Sequence, residues 1–74
     1  MDEFTLGSVM WIMGGLQKVE IRQYKNWESC ALRKDYQIIF KGLANYEWDI
    51  RKPINKATVQ YVEADHDTII LSVL

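Results

Sequence analysis

The sequence has few of the residues that usually stabilise a chain of only 74 residues. It contains one cysteine, Cys30, and one histidine, His66, so its own residues form neither an internal disulfide nor a structural zinc site. No apolar run approaches the roughly 18 residues of a membrane-spanning helix. A domain of this size buries only about 60% of the surface of its unfolded chain. We therefore expect good packing or self-association to supply the missing stability.

The sequence also lacks an excess of charge of either sign. Its net charge of −1 argues against a general polyanion binder. An apolar content of 49% and a charged content of 26% are typical of one ordinary globular domain, which we place at residues 1–74. The first residues, Met1, Asp2 and Glu3, lack the positive charge of a signal peptide. We expect an intracellular, cytoplasmic protein that does not bind membranes.

The usual catalytic and cofactor motifs are missing from the sequence. It has no glycine-rich phosphate loop and no Ser-His-Asp order. Arg33 and Lys34 lie near Cys30 and favour its thiolate, but a nucleophile needs a base, and His66 lies far along the chain. We predict that the protein is not an enzyme and uses no cofactor.

An acidic segment near the C-terminus holds oxygen and nitrogen ligands within five residues: Glu63, Asp65, His66 and Asp67. A calcium loop runs for about twelve residues with a glycine midway, and this spacing does not match it. We interpret the segment as a solvated acidic turn and predict no metal site.

The last eighteen residues predict a β-hairpin. Its limbs are residues 57–63 and 68–74, joined by a turn at residues 64–67. The second limb is uncharged and rich in β-branched residues, which is typical of a strand. In the first limb Val59 and Tyr61 share one parity and Val62 has the other, so either both faces are partly covered or a bulge re-aims the strand. We favour the bulge.

The rest of the chain predicts a short helix at residues 4–13, a half-buried strand at 16–24, an irregular segment at 25–35, a strand at 36–42 and helical turns at 45–52. Thr5 caps the first helix, Gly14 and Gly15 end it, Asn45 caps the second, and Pro53 bars its continuation. The expected fold is a two-layer α+β domain. Its N-terminal helix packs on a four-stranded antiparallel sheet built from two hairpins, with the short helix between them.

A group of residues along most of the chain carries a resemblance: Thr5-Leu6, Lys18-Val19-Glu20-Ile21, Tyr36 to Gly42, Trp48, Val59 to Ala64 and Asp67 to Ile70. With this layout the sequence resembles small, mostly uncharacterised proteins from phages and mobile elements of Gram-positive gut bacteria. The resemblance implies a genomic neighbourhood and brings no catalytic residue.

The segment around Trp27 offers a functional hint, because loops seldom expose a tryptophan without a use. Trp27 anchors a protein partner, stacks on bases, or folds back with Leu32 to cover the sheet edge. Residues 18–34 hold five cations against two acids. The nucleic-acid hypothesis, for single strands, uses Arg22, Tyr24, Lys25, Trp27, Arg33, Lys34 and Tyr36.

The first helix and the last strand point to a protein interface. Leu6, Val9, Met10 and Met13 form an inward stripe, and Trp11 and Ile12 fall outside it. If the strand Thr68–Leu74 lies at the sheet edge, it is a template for strand addition. We predict a non-enzymatic protein-interaction domain that forms a homodimer. The residues expected at the interface are Trp11, Ile12, Trp27, Ile70 and Leu74.

Overall fold

The computed structural model describes residues 4–13, 15–49 and 51–74. In chain order the elements are α1 (Leu6–Ile12), β1 (Lys18–Tyr24), α2 (Trp27–Leu32), β2 (Tyr36–Leu43), α3 (Ala44–Glu47), a 3₁₀-helix (Pro53–Lys56), β3 (Val59–Asp65) and β4 (Thr68–Val73). The α+β class is confirmed. The predicted stop at Gly14 lies outside the described residues, and Met13 caps α1 in an extended conformation.

The four strands form one sheet in the order β2-β1-β4-β3. Both predicted hairpins are confirmed, since β1 pairs antiparallel with β2 and β3 pairs antiparallel with β4. The two hairpins meet through a parallel pair, β1 with β4, in which Val19 lies beside Ile69 and Ile21 beside Leu71. The sheet is therefore mixed, and the prediction of a purely antiparallel sheet is wrong. The reason is that β1 and β4 run in the same direction and occupy the two central positions.

Strand addition was expected only if β4 lies at the sheet edge, and its central position does not meet that condition. Leu71 and Val73 are fully buried, and Ile70, on the other face, is only 8% exposed. A strand that is apolar on both parities suits a central parallel pair, because both of its faces are covered. Its backbone pairs with β1 and β3, so Ile70 is not available to a partner by strand addition. The outer strands are β2 and β3.

Helix α1 covers one face of the sheet, which we call the α1 face. The side chain of Thr5 accepts a hydrogen bond from the backbone N–H of Ser8 at 3.2 Å, as predicted for the cap. The core on this face joins α1 to all four strands, to Ala44 and to Trp48. Its members are Leu6, Val9, Met10, Val19, Ile21, Ala44, Trp48, Val59, Leu71 and Val73, with Met13 and Phe40 packed against them.

Residues 25–35 were predicted to be irregular, but they contain helix α2. The side chain of Asn26 accepts a hydrogen bond from Ser29 N at 2.9 Å, which starts the helix. Arg33 ends it in the left-handed conformation, with φ of 57°. Six residues give less than two turns, so no helical period is readable in the sequence.

Helix α2 lies on the opposite face of the sheet, which we call the α2 face. Its side chains reach Tyr61 and Glu63 of β3, which pair with Ser72 and Ile70 of β4. Those two residues alternate with Leu71 and Val73, whose side chains belong to the α1-face core. The sheet is thus covered on both faces, by α1 on one and by α2 on the other.

Two bulges interrupt the outer strands. The predicted bulge in β3 is confirmed by a shift in register between Val59 and Tyr61. A second one, in β2, places Phe40 opposite Ile21 and Ile38 opposite Arg22. Ile38 and Phe40 therefore lie on different faces, whereas strict alternation predicted that they would share one.

The second helical segment differs from the prediction. Helix α3 covers residues 44–47, and its N-cap position is Leu43 rather than Asn45, with no side-chain cap. The predicted helix also ran through Ile50, which lies outside the described residues. Pro53 does not follow a helix; it opens the 3₁₀-helix, where its missing N–H costs nothing.

Candidate protein-binding site

The outer side of α1 is an exposed apolar surface. Trp11 is 70% exposed and Ile12 is 75% exposed, although both lie on a helix that buries Leu6, Val9 and Met10. Ser8 is exposed on the same side, three residues before Trp11 and four before Ile12, which is the spacing of one helix face. We call Ser8, Trp11 and Ile12 the outer face of α1. The prediction that Trp11 and Ile12 lie outside the buried stripe is confirmed.

Two further large apolar side chains outside α1 are also exposed. Leu16 is 76% exposed in the turn before β1. It was predicted to begin the strand, but β1 starts at Lys18. On the α1 face of the outer strand β3, Val62 is about half exposed. On a protein surface, large apolar side chains that lie together as a contiguous patch mark an interaction site.

Asn55 lies against α1 and is itself held by three hydrogen bonds. Its side-chain oxygen accepts a hydrogen bond from Trp48 Nε1 at 2.6 Å, and its amide nitrogen donates to the carbonyls of Asp49 and Lys52, both at 3.0 Å. The helix packs directly on this residue at Gly7, where an added Cβ would lie 3.1 Å from the Asn55 Cβ. The outer face of α1 is therefore presented by a helix that packs on a hydrogen-bonded side chain.

The start of α1 is also tied to the sheet. Leu6 N donates to Ala57 O at 2.8 Å, and Val59 N donates to Phe4 O at 2.8 Å, around a bridge between Thr5 and Thr58. These bonds cover the beginning of the free edge of β3. They also place the first turn of α1 beside residues 57–59.

Trp27 is 53% exposed, but it makes a contact within the protein. Its ring stacks on Tyr61, with centroids 5.9 Å apart and planes 14° apart. The guanidinium carbon of Arg33 lies 3.7 Å from the centre of the Tyr61 ring. The stack thus connects α2 to β3, and it partly supports the interpretation that Trp27 folds back onto the sheet, although Leu32 is exposed.

The two arginines of the nucleic-acid hypothesis are each bound to a carboxylate. Arg33 Nε lies 3.1 Å from Glu63, and this hydrogen bond raises the arginine pKa despite partial desolvation. Arg22 Nε lies 2.6 Å from Glu20. Burial is the largest single effect and lowers the pKa of Arg22, but the hydrogen bonds to Glu20 and Tyr24, together with the charge of Glu20, outweigh it, so the pKa is raised. Glu20, predicted to face solvent, is buried in this pair.

The aromatic residues of that hypothesis are divided between the interior and the surface. Tyr24 is buried, and its ring centre lies 5.3 Å from that of Tyr36. The guanidinium of Arg22 lies 4.4 Å from the Tyr36 ring, on the same face of the sheet. Lys25 and Lys34 are exposed. The seven predicted residues therefore do not form one open surface on which bases can stack.

The cysteine and the histidine considered for catalysis lie in different environments, one buried and one exposed. Cys30 is fully buried in α2, and burial raises the pKa of its thiol. His66 is exposed in the turn between β3 and β4, with φ of 58°. Among the described residues, no group of three or more acidic, histidine or cysteine side chains is placed to hold a metal ion.

In the part of the chain that is described, no helix has the length and apolarity to cross a membrane.

Leu74 is partly exposed at the end of β4. Its carbonyl accepts a hydrogen bond from Gln23 Nε2 at 3.2 Å. It lines an open cleft of about 610 Å³ together with Gln23, Tyr24, Lys25, Asp35 and Gln37. Leu74 was predicted for the same interface as Trp11 and Ile12, and it lines this cleft instead of lying on α1.

Sequence reasoning missed two members of the surface around α1. Leu16 was assigned to a strand, and Ser8 was not considered. Ser8 could have been identified from the sequence, because it stands three and four residues before Trp11 and Ile12.

No protein-family model, curated protein or solved structure matches the chain. The resemblance to phage and mobile-element proteins therefore stays a prediction.

Proposed function

We propose that this protein is a small, non-enzymatic protein-interaction domain that binds its partner through the outer face of α1 and Leu16. The observation that carries the proposal is the exposure of Trp11 on a helix whose other side is buried in the core. Tryptophan is enriched among the residues that dominate binding energy at protein interfaces. Among the described residues, no aromatic ring or cation stacks on Trp11, in contrast to Trp27.

The physical reason is the cost of leaving this surface in water. Burying an apolar side chain of this size is worth about 1.5–3 kcal/mol. Trp11, Ile12 and Leu16 each keep at least 70% of their surface exposed, so little of this gain is realised within the chain. A partner that covers all three side chains would gain it on binding. The predicted cytoplasmic location and mobile-element context are compatible with this proposal, but they do not support it.

Photo-crosslinking tests the proposal. We would place p-benzoylphenylalanine at Ile12 and, as a matched control, at Leu32, which is 56% exposed on α2. After irradiation in the source cell, crosslinked proteins would be identified by mass spectrometry. We expect a discrete crosslinked product from position 12 that is lost when Trp11→Ser is added. Equal products from both positions, or none from position 12, would contradict the proposal.

Single-stranded nucleic acid is the weaker candidate. Its support is the exposure of Lys25, Trp27 and Lys34, while Arg22 and Arg33 already neutralise carboxylates. A site of this kind would lose affinity steeply as salt rises. Titrating labelled single strands at low salt, with tryptophan fluorescence as the readout and Arg33→Ala with Lys34→Ala as the variant, would detect it.

A further inference from the structure

The segment between β1 and β2 leaves the sheet and returns to it at neighbouring positions. Strand β1 ends at Tyr24 and β2 begins at Tyr36, and these two residues are paired across the strands. Residues 25–35, which include α2, therefore form a loop whose two ends lie side by side. A compact surface loop with close ends is a structural unit of its own, so it can move without separating paired strands. We call residues 25–35 the α2 flap.

The α2 flap contributes little to the hydrophobic core. Ser29 and Cys30 are its buried residues, and neither belongs to the apolar cluster on the α1 face. Trp27 and Leu32, its large apolar side chains, each keep more than half of their surface exposed. Segments with few buried apolar contacts open at a lower free energy than the core does.

The contacts that hold the α2 flap against β3 lie at the protein surface. The Trp27 ring stacks on Tyr61, yet Trp27 remains 53% exposed. Arg33 Nε lies 3.1 Å from the Glu63 carboxylate, and the two side chains are 32% and 39% exposed. An ion pair with this much access to water contributes little to stability. Water can therefore replace these contacts when the flap moves.

The closed position of the α2 flap also has two costs. Ser72 lies on the α2 face between Tyr61 of β3 and Arg22 of β1, and it is fully buried. Its hydroxyl makes no hydrogen bond among the described residues, which destabilises the packing that covers it. Arg33 and Asp35 both have left-handed backbones, with φ of 57° and 58°, a conformation that costs residues with side chains more than glycine. Opening of the flap lets water reach the hydroxyl and lets both residues leave this conformation.

We propose that the α2 flap opens away from the sheet as one unit, with a hinge at residues 33–35, while α1 and the four strands stay folded. Opening uncovers the α2 face around Ser72 and exposes the thiol of Cys30, the one cysteine of the sequence. The flap is thus a conformational gate on the α2 face. It does not involve the outer face of α1, so neither this proposal nor the proposed function depends on the other.

Reaction of Cys30 with an excess of the aromatic disulfide DTNB measures the opening. The thiolate attacks the disulfide, forms a mixed disulfide and releases one coloured thionitrobenzoate. When the flap closes faster than the thiol reacts, the observed rate is the rate of the unfolded chain multiplied by the open fraction. We expect the wild type to react more slowly than the urea-unfolded chain but faster than its globally unfolded fraction allows. Below the unfolding transition the rate should depend only weakly on urea, because opening of the flap exposes little surface.

The two helix caps provide a matched pair of variants. Asn26→Ala removes the cap of α2 and should raise the reaction rate about fivefold, whereas Thr5→Ala removes the cap of α1 and should leave the rate unchanged. Trp27→Ala removes the stack on Tyr61 and should raise the rate about two- to tenfold. Glu63→Gln removes the ion pair with Arg33 and should raise it about twofold.

Three results would overturn the proposal. A rate that follows the globally unfolded fraction at every urea concentration would show that the flap does not open by itself. Equal acceleration by Thr5→Ala and Asn26→Ala would show that the opening includes α1. A wild type that reacts as fast as the unfolded chain would show that the flap does not close over Cys30. The urea dependence of the wild type decides the proposal even where a variant does not fold.

Discussion

Helices α1 and α2 have nearly the same length, lie on opposite faces of one sheet and each carry an exposed tryptophan. Both begin at a side-chain cap, Thr5 in one and Asn26 in the other. They differ in what they bury: α1 contributes Leu6, Val9 and Met10, whereas α2 contributes Ser29 and Cys30. The apolar helix supplies the core, and the polar helix is attached by specific contacts.

The two tryptophans differ in the same way. Trp27 stacks on Tyr61 and so holds α2 against β3, while Trp11 has no such contact among the described residues. Exposure alone therefore does not identify a binding residue. The contacts of the ring within the chain decide whether it serves the fold or remains free for a partner.

The largest effect should come from the buried side of α1. Met10→Ala removes a fully buried side chain from the core and should lower the free energy of unfolding by about 2–5 kcal/mol. Urea unfolding followed by circular dichroism measures it. Met10→Leu keeps the volume and should cost less than about 1.5 kcal/mol. A small effect of Met10→Ala would show that α1 does not supply the core.

The caps provide a matched comparison of the two helices. Thr5→Ala and Asn26→Ala each remove one acceptor for a backbone N–H and should each cost about 1 kcal/mol. Hydrogen exchange would locate the loss. We expect Thr5→Ala to expose amides of α1, and Asn26→Ala to expose only those of α2. If Asn26→Ala lowered the protection of amides in both helices, α1 and α2 would belong to one cooperative unit.

Removing the second tryptophan tests the attachment of α2. Trp27→Ala deletes the stack on Tyr61 and should cost about 0.5–1.5 kcal/mol. Trp27→Phe retains a ring and should recover part of this loss in the same urea experiment. If the alanine variant is as stable as the wild type, the stack does not hold the helix.

The buried thiol of α2 predicts a small dependence on pH. Burial raises the pKa of Cys30, so the folded state keeps its proton where the unfolded state, with a pKa of about 8.5, loses it. The stabilisation is complete below that pH and is lost as pH rises above it. At pH 9 the advantage of the wild type over Cys30→Ala should shrink by up to about 0.8 kcal/mol relative to pH 7. An unchanged difference would contradict the prediction.

Much of the fold is predictable from the sequence because the signals are local. The alternation of Val19 and Ile21 with charged residues predicts β1, and the stripe on α1 predicts which side is buried. The parallel pairing of β1 with β4 is not predictable in this way. The sequence pattern of each hairpin would be the same if the two hairpins were joined by an antiparallel pair. The apolar residues of β4 on both parities, such as Ile70 and Leu71, suit a central strand as well as an unprotected edge.

The candidate site was predictable where it depends on helical spacing. Trp11 and Ile12 follow from the stripe, whereas the role of Trp27 depends on Tyr61, which lies far along the chain. The error at Ile70 came from placing β4 at an edge. The contact of Gly7 with Asn55 depends on how α1 packs against a distant segment, so it could be found only in the structure.

The most direct test of the account is the stability of Trp11→Ser, measured by urea unfolding at a concentration too low for association. Serine and tryptophan have similar helix propensities, so the substitution changes mainly the exposed surface. We predict that the free energy of unfolding stays within about 0.5 kcal/mol of the wild type, as at other exposed positions. A loss comparable to that of Met10→Ala would show that Trp11 belongs to the core and is not held free for a partner.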